Sequence, residues 1–396
     1  MQFYSILDLL KATAQSKEIT LETMYKFFQK KGIKKKELEA LSDTSYFPND
    51  KKLINSLEEF TGLSELEISL SMGFVPPEYS KSYYSNIKKI ADILERSPEE
   101  NYHNKEYVPY FVTDKGKLFN EDCVSWLKTI PDNSVDLIFA DPPFNLDKDY
   151  GDGISDKQLT SEYINWTKLW LEECVRVLKP GSQLFVYNLP KWSSYIASYL
   201  NQRLTFRNWI AINMKFSLPI NGRLYPAHYG LLCYVKGVKP NTFNPQRLPA
   251  AACRHCGGEL ADYGGYKNKM NPNGINVSDV WDDIYPVRHK NSKNRKSNEL
   301  SLKLLERIIE MASNPGDLVL DPFGGSGTTY VAAELLERNW LGCELGDCEI
   351  IKKRMENPEQ DLVQHKKILS AKNKLFTDEI VKLRIKNKMW LPSDFK

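Results

Sequence analysis

Two short stretches carry residue types able to do chemistry. In Ile138-Phe139-Ala140-Asp141-Pro142-Pro143-Phe144 an apolar run stops at a carboxylate, two prolines and an aromatic ring. Val135 to Ala140 has the length and character of a strand buried on both faces, although Asp136 interrupts it. The prolines cannot continue a parallel ladder, so the strand must end at Asp141. A carboxylate held there, with a proline-locked backbone presenting the next ring, fits the place where open α/β sheets bind ligands. Asp-Pro also occurs in ordinary turns, and the stretch alone leaves that reading open.

The second stretch begins with a strand, Leu318-Val319-Leu320, and turns through Asp321-Pro322-Phe323-Gly324-Gly325-Ser326-Gly327 into a helix from Thr328 to Arg338. A further strand, Trp340 to Glu344, places an acid twenty residues past Gly324. This order of elements sets a nucleoside against a sheet, with Glu344 able to accept both ribose hydroxyl protons. Glycine lets ligand atoms approach the backbone and makes positive φ available. The Gly-x-Gly-x-x-Gly of a dinucleotide fold is not present.

The elements that must position these stretches follow from the hydropathy pattern. Residues 1–108 read as a helical accessory domain, with Ile6, Leu9 and Leu10, then Leu21, Met24 and Phe28, at helical spacing. Leu53 to Pro77 loosely resembles half of a helix-turn-helix, while a generic helical bundle explains the same pattern. The polar, proline-punctuated segment from Ser97 to Pro109 marks a boundary. Residues 109–235 alternate strands with helices and form the catalytic half of a doubly wound α/β sheet. In it Asp147 to Asp156 has the composition of an active-site lid. Residues 236–297 break the alternation, residues 298–348 resume it as the cofactor half, and residues 349–396 read as a helical, lysine-rich tail.

The irregular segment holds two further candidates. Arg288, His289, Lys290, Lys293, Arg295 and Lys296 form a basic stretch with no acid inside it, a candidate for contact with nucleic acid; a solvated surface loop has the same composition. Cys253 and Cys256 supply half of a tetrahedral zinc site, and no second close pair follows. The favoured reading is an unmetallated pair. The net charge of +3 gives no global field for a polyanion, so an electrostatic footprint must be local. Seven scattered cysteines point to a reducing compartment. No run of eighteen apolar residues and no basic N-terminal flank appear, so neither a membrane span nor a signal peptide is expected, and the compartment is read as cytoplasmic.

Asp141-Pro142-Pro143-Phe144 resembles the catalytic motif of the amino-group DNA methyltransferases, and Asp321 to Thr329 resembles their Phe-x-Gly-x-Gly cofactor motif. The catalytic motif comes first by 180 residues, the permuted order of the family's β class. The resemblance covers about Lys117 to Glu344. It implies a Rossmann-like methyltransferase sheet, S-adenosylmethionine as cofactor and double-stranded DNA as partner, and it allows a homodimer and a cognate restriction enzyme. It implies that Phe323 and the turn Gly324, Gly325, Ser326 and Gly327 hold the methionine part, with Asp321 and Thr328 also among the cofactor-binding residues. Glu344 would hold the ribose, Asp122 would lie by the adenine of the cofactor, and Asn298, in the lead-in to the cofactor half, would be a further cofactor-binding residue.

An exocyclic amine is a poor nucleophile because its lone pair is conjugated with the ring. The Asp141 carboxylate and the Pro142 carbonyl would accept its two protons, Pro143 would fix the carbonyl relative to the ring, and Phe144 would stack on a base turned out of the duplex. Methylation at cytosine C5 needs a Pro-Cys nucleophile, and no cysteine here follows a proline. Aspartate at the first motif position is more typical of adenine enzymes in the family, so adenine N6 is the expected target and cytosine N4 the alternative. A DNA-binding regulator that keeps the fold as a scaffold is the reading from another class.

Overall fold

The computed structural model describes residues 5–39, 41, 50–73, 79–94, 106–145, 159–214, 219–222, 224–259, 265–285, 287 and 299–395. The lid segment 147–156, the basic stretch from Arg288 to Lys296, and Asn298 lie outside them. By contact the chain forms two compact units: Met1–Asn101 with Asn145–Lys148 and Asp156–Leu169, and Tyr102–Phe144 with Asp149–Ser155 and Trp170–Lys396.

The first unit is helical, with α1 (Ile6–Ser16), α2 (Leu21–Lys30), α3 (Lys35–Glu39), α4 (Lys51–Thr61), α5 (Glu65–Ser71), α6 (Ser80–Ser85) and α7 (Ile87–Leu94). The starts are written in the sequence: Ser5, Thr20 and Asp50 accept backbone N–H bonds as N-caps, and Ser64 with Glu67 forms a capping box. Gly62 ends α4 in the left-handed conformation. Ile6, Leu10, Met24, Phe28, Leu57, Phe60 and Ile68 make one core.

The second unit is mixed α/β. Its strands are β1 (Phe111–Val112), β2 (Gly116–Phe119), β3 (Val135–Ala140), β4 (Leu178–Asn188), β5 (Thr205–Asn213), β6 (His228–Val235), β7 (Arg247–Leu248), β8 (Ile275–Asn276), β9 (Val280–Trp281), β10 (Leu318–Asp321) and β11 (Asn339–Cys343). Nine join one sheet in the order β1-β2-β11-β10-β3-β4-β6-β5-β9, while β7 and β8 pair separately. From β2 to β4 the pairing is parallel, and β6 runs antiparallel to both neighbours. The helices are α8 (Cys123–Leu127), α9 (Thr160–Val177, which begins in the first unit's segment), α10 (Pro190–Leu200), α11 (Leu302–Ala312), α12 (Thr328–Leu335), α13 (Cys348–Glu356), α14 (Glu359–Ala371) and α15 (Asp378–Lys386). No described helix is long and apolar enough to cross a membrane.

Asp136, which interrupts the apolar run of β3, ties three strands together at their starts. Its carboxylate accepts from Lys179 Nζ on β4 at 2.7 and 2.8 Å and from the Leu318 amide of β10 at 2.9 Å. That fixes β3 between β4 and β10, so their C-terminal ends emerge side by side.

The segment 236–297 is less irregular than its sequence suggests, since β9 adds to the main sheet beside β5. Two residues are too few to show a period. Just after β9, Asp283 receives Arg307 of α11 at 2.9 and 2.5 Å, with Lys303 at 2.6 Å. Burial would raise the Asp283 carboxyl, but Arg307 and Lys303 hold it down to about 2. A depressed carboxyl stabilises above its ordinary pKa, and that stability is lost as pH falls from 3.8 to about 2. Asp283→Ala strands the buried Arg307 and should cost about 3–5 kcal/mol in denaturant unfolding, with a flatter loss of stability across the same acid window.

Candidate active site

β3 and β10 pair in parallel, with Leu137 opposite Val319 and Ile138 opposite Leu320. The strand ends therefore bring Asp141-Pro142-Pro143-Phe144 and the glycine-rich turn together at the C-terminal ends of two central strands, across 180 residues of chain. Open parallel sheets place ligands at such adjacent C-terminal ends.

On the β3 side Pro142 is buried and Asp141 partly so. Phe144 is only 8% exposed, its ring tilted against Tyr187 at 6.2 Å and Tyr229 at 5.8 Å between centroids. The two tyrosines are 4.8 Å apart, and the Phe144 carbonyl accepts from Trp192 Nε1 at 2.6 Å. Burial, then the charge of Asp141 and the neighbouring Tyr229, push the Tyr187 phenol well above its ordinary pKa, so it stays a hydroxyl. Tyr187 on β4 and Tyr229 on β6 were not singled out from the sequence. Their strands are apolar enough to read as plain core, and only strand order brings them to the motif.

On the β10 side Asp321 is 2% exposed and anchors the turn. Its carboxylate oxygens accept from the Phe323 amide at 2.9 Å and from Thr329 Oγ1 at 2.5 Å. Burial is the main reason its pKa rises well above the usual carboxylate range; Thr329 and the Phe323 amide pull it down, and the charges of Asp141 and Glu344 push it up. Phe323 meets Trp170 edge-on at 5.1 Å.

The glycines have a packing reason beside any ligand. A Cβ on Gly324 would meet Tyr330 Oη at 2.7 Å, and one on Gly327, at φ +76°, would meet Ile351 at 2.8 Å. Glu344 Oε2 accepts from the Gly325 amide at 2.6 Å and Oε1 from the Gly346 amide at 2.7 Å. A carboxylate has about four acceptor positions, so two remain for a diol, which fits the ribose of a nucleoside cofactor. Asn120 Nδ2 donates to the Glu344, Leu345 and Gly346 carbonyls and holds the loop beyond β11. Asp122 is exposed and caps α8 by accepting from the Ser125 amide at 2.9 Å.

The profile described as DNA methylase, of the N6/N4 type, matches residues 135–353. The chain belongs to the N6/N4 amino DNA methyltransferase family. It is 52% identical over 400 residues to the type II methyltransferase M.BamHI of Bacillus amyloliquefaciens, covering 100% of this chain and 94% of that one. Among solved structures, PvuII DNA methyltransferase (cytosine-N4-specific) is 18% identical with a TM-score of 0.47 over 68% of this chain and 97% of that one. The M1.HpyAVI complex with S-adenosylmethionine is 24% identical with a TM-score of 0.42, over 61% and 98%.

The adenine expectation is corrected by the full-length match: the similarity to the type II methyltransferase M.BamHI backs the cytosine-N4 alternative instead. The physical reason lies in the motif. Adenine N6 and cytosine N4 offer the same two amine protons, so Asp141 and the Pro142 carbonyl carry no information about which ring bears them.

The Cys-x-x-Cys turn packs against α15. Arg384 Nη1 donates to the Gly257 carbonyl at 2.6 Å and Nη2 to Glu259 at 2.8 Å, while Asn387 donates to the Cys256 carbonyl. Among the described residues no group of three or more His, Cys, Asp or Glu could hold a metal.

Asp321 gives a test of this electrostatic picture. A raised carboxyl stabilises below its ordinary pKa, and that contribution is lost as pH rises through the raised value. Asp321→Asn, which keeps the neutral form's shape, should leave the melting temperature flatter than wild type as pH is raised, and at alkaline pH equal to or above it. A steeper alkaline loss in the variant would contradict the burial argument.

Proposed function

We propose that this protein methylates the exocyclic N4 amine of cytosine in double-stranded DNA, with S-adenosylmethionine as donor, as the modification enzyme of a type II restriction-modification system. The full-length similarity to M.BamHI carries the choice of base. The juxtaposition of the Asp141 motif with the Asp321 turn supports the reaction class.

Bound at the glycine-rich turn, the cofactor supplies a methyl group on an electron-poor sulfonium. Everything else is the work of the chain. Glu344 orients the ribose, and the buried Asp321 keeps the turn in shape. The Asp141 carboxylate and the Pro142 carbonyl accept hydrogen bonds from the two amine N–H groups and draw the nitrogen out of conjugation with its ring, which frees its lone pair for attack; the sulfonium leaves as a thioether, and the nitrogen gives up one of its two protons and keeps the other. Phe144, backed by Tyr187 and Tyr229, forms an aromatic wall for the cytosine, which must leave the duplex to reach it. Tyr187 remains a neutral donor beside Asp141.

Residues 236–297 supply target recognition in this reading, with the stretch from Arg288 to Lys296 among the phosphate contacts. The 1–108 helical domain is accessory to it. Chromatography of nucleosides from duplex DNA, modified with labelled cofactor, should return N4-methyldeoxycytidine. N6-methyldeoxyadenosine as the sole product would overturn the choice of base. Asp141→Ala should lower the transfer rate by roughly 100-fold or more while changing cofactor affinity little; retained turnover would remove Asp141 from the reaction.

A further inference from the structure

We infer that Arg354, on α13 and beyond both sequence motifs, is a positioning residue for the cofactor turn. The inference rests on the S-adenosylmethionine reading of that turn.

Arg354 is 6% exposed, and its guanidinium reaches three separate parts of the chain. Nη1 donates to the Ser326 carbonyl at 3.0 Å, to Ser326 Oγ at 3.3 Å and to Thr328 Oγ1 at 2.9 Å. Nε and Nη2 grip Asp361 of α14 side-on at 2.9 and 2.7 Å. Glu299, in the lead-in to α11, lies 3.5 Å from Nη1. The same lead-in is tied to the turn by Thr328 Oγ1, which donates to the Leu300 carbonyl at 3.3 Å. A cation this deeply buried is tolerated because two carboxylates flank it, and the planar fork meets Asp361 as no ammonium could.

The need for such a latch follows from the turn itself. Gly325 at φ +57° and Gly327 at φ +76° sit on either side of Ser326. Glycine adopts these angles at little cost and leaves them as readily, so the peptide between Ser326 and Gly327 could turn over. Its two ends are held instead: the N–H donates to the Gly324 carbonyl at 2.8 Å, and the C=O accepts from Arg354. With that plane fixed, the Gly325 amide meets Glu344 and the first turn of α12 starts in register. Arg354 thus preorganises the cofactor site without touching the cofactor, which lowers the ordering cost of binding.

The test compares wild type, Arg354→Lys, Arg354→Met and Asp361→Asn by calorimetric binding of S-adenosylmethionine and S-adenosylhomocysteine, and by steady-state kinetics on duplex DNA. Arg354→Met should raise the cofactor Kd and KM about tenfold or more, the equivalent of one charge-assisted hydrogen bond, with kcat at saturating cofactor within about threefold. Arg354→Lys should fall between, and Asp361→Asn, which loosens the grip on the guanidinium from outside the turn, should shift Kd in the same direction by less. Unchanged cofactor affinity in Arg354→Met, or a fall in kcat alone, overturns the inference. If Arg354→Met does not fold, Asp361→Asn decides, and wild-type affinity there overturns it equally. Failure of the wild type to bind either cofactor form would instead refute the cofactor reading.

Discussion

The parallel pairing of β3 with β10 is the contact on which the rest of the site depends. It joins strands 180 residues apart in the chain, so its closure entropy is large and must be offset by burial. Leu137, Ile138, Val319 and Leu320 are each fully buried in that pairing. Asp136 adds register: one carboxylate holds Lys179 and the Leu318 amide, locking three strands at the end away from the chemistry. Slippage of β3 by one residue would turn its side chains to the opposite face and shift the Asp141 motif along the turn.

Around this pairing the site combines freedom with restraint. The glycines of the turn permit a backbone that other residues resist, and for the same reason cannot hold it. Asp321 at the end of β10, Glu344 just past β11 and Arg354 from α13 supply the restraint through hydrogen bonds to named backbone groups. Carboxylates gather as a result, since Asp141 and Glu344 both push the Asp321 pKa up after burial has done so.

Much of the fold was legible because its signals are local. The buried runs of β3 and β10 and the glycine-rich turn appear near the expected boundaries, and the first unit is helical, as the spacing of its apolar residues indicates. Short strands were not legible: β9 spans two residues and joins the sheet only because β5 offers an edge. Nor was the base. The motif chemistry treats the two amines alike, and the tendency at one position that pointed to adenine is overturned by the full-length similarity to M.BamHI.

What the sequence by itself determined was the pair of centres, because a carboxylate before two prolines and a glycine-rich turn before a helix are stated within a few residues each. What only the tertiary structure decided was their company. Tyr187, Tyr229, Asn120 and Arg354 come from four other elements or loops and look like ordinary strand, loop and helix residues until strand order and helix packing bring them together. Their part depends on distances across the sheet, and no local pattern of residues encodes those.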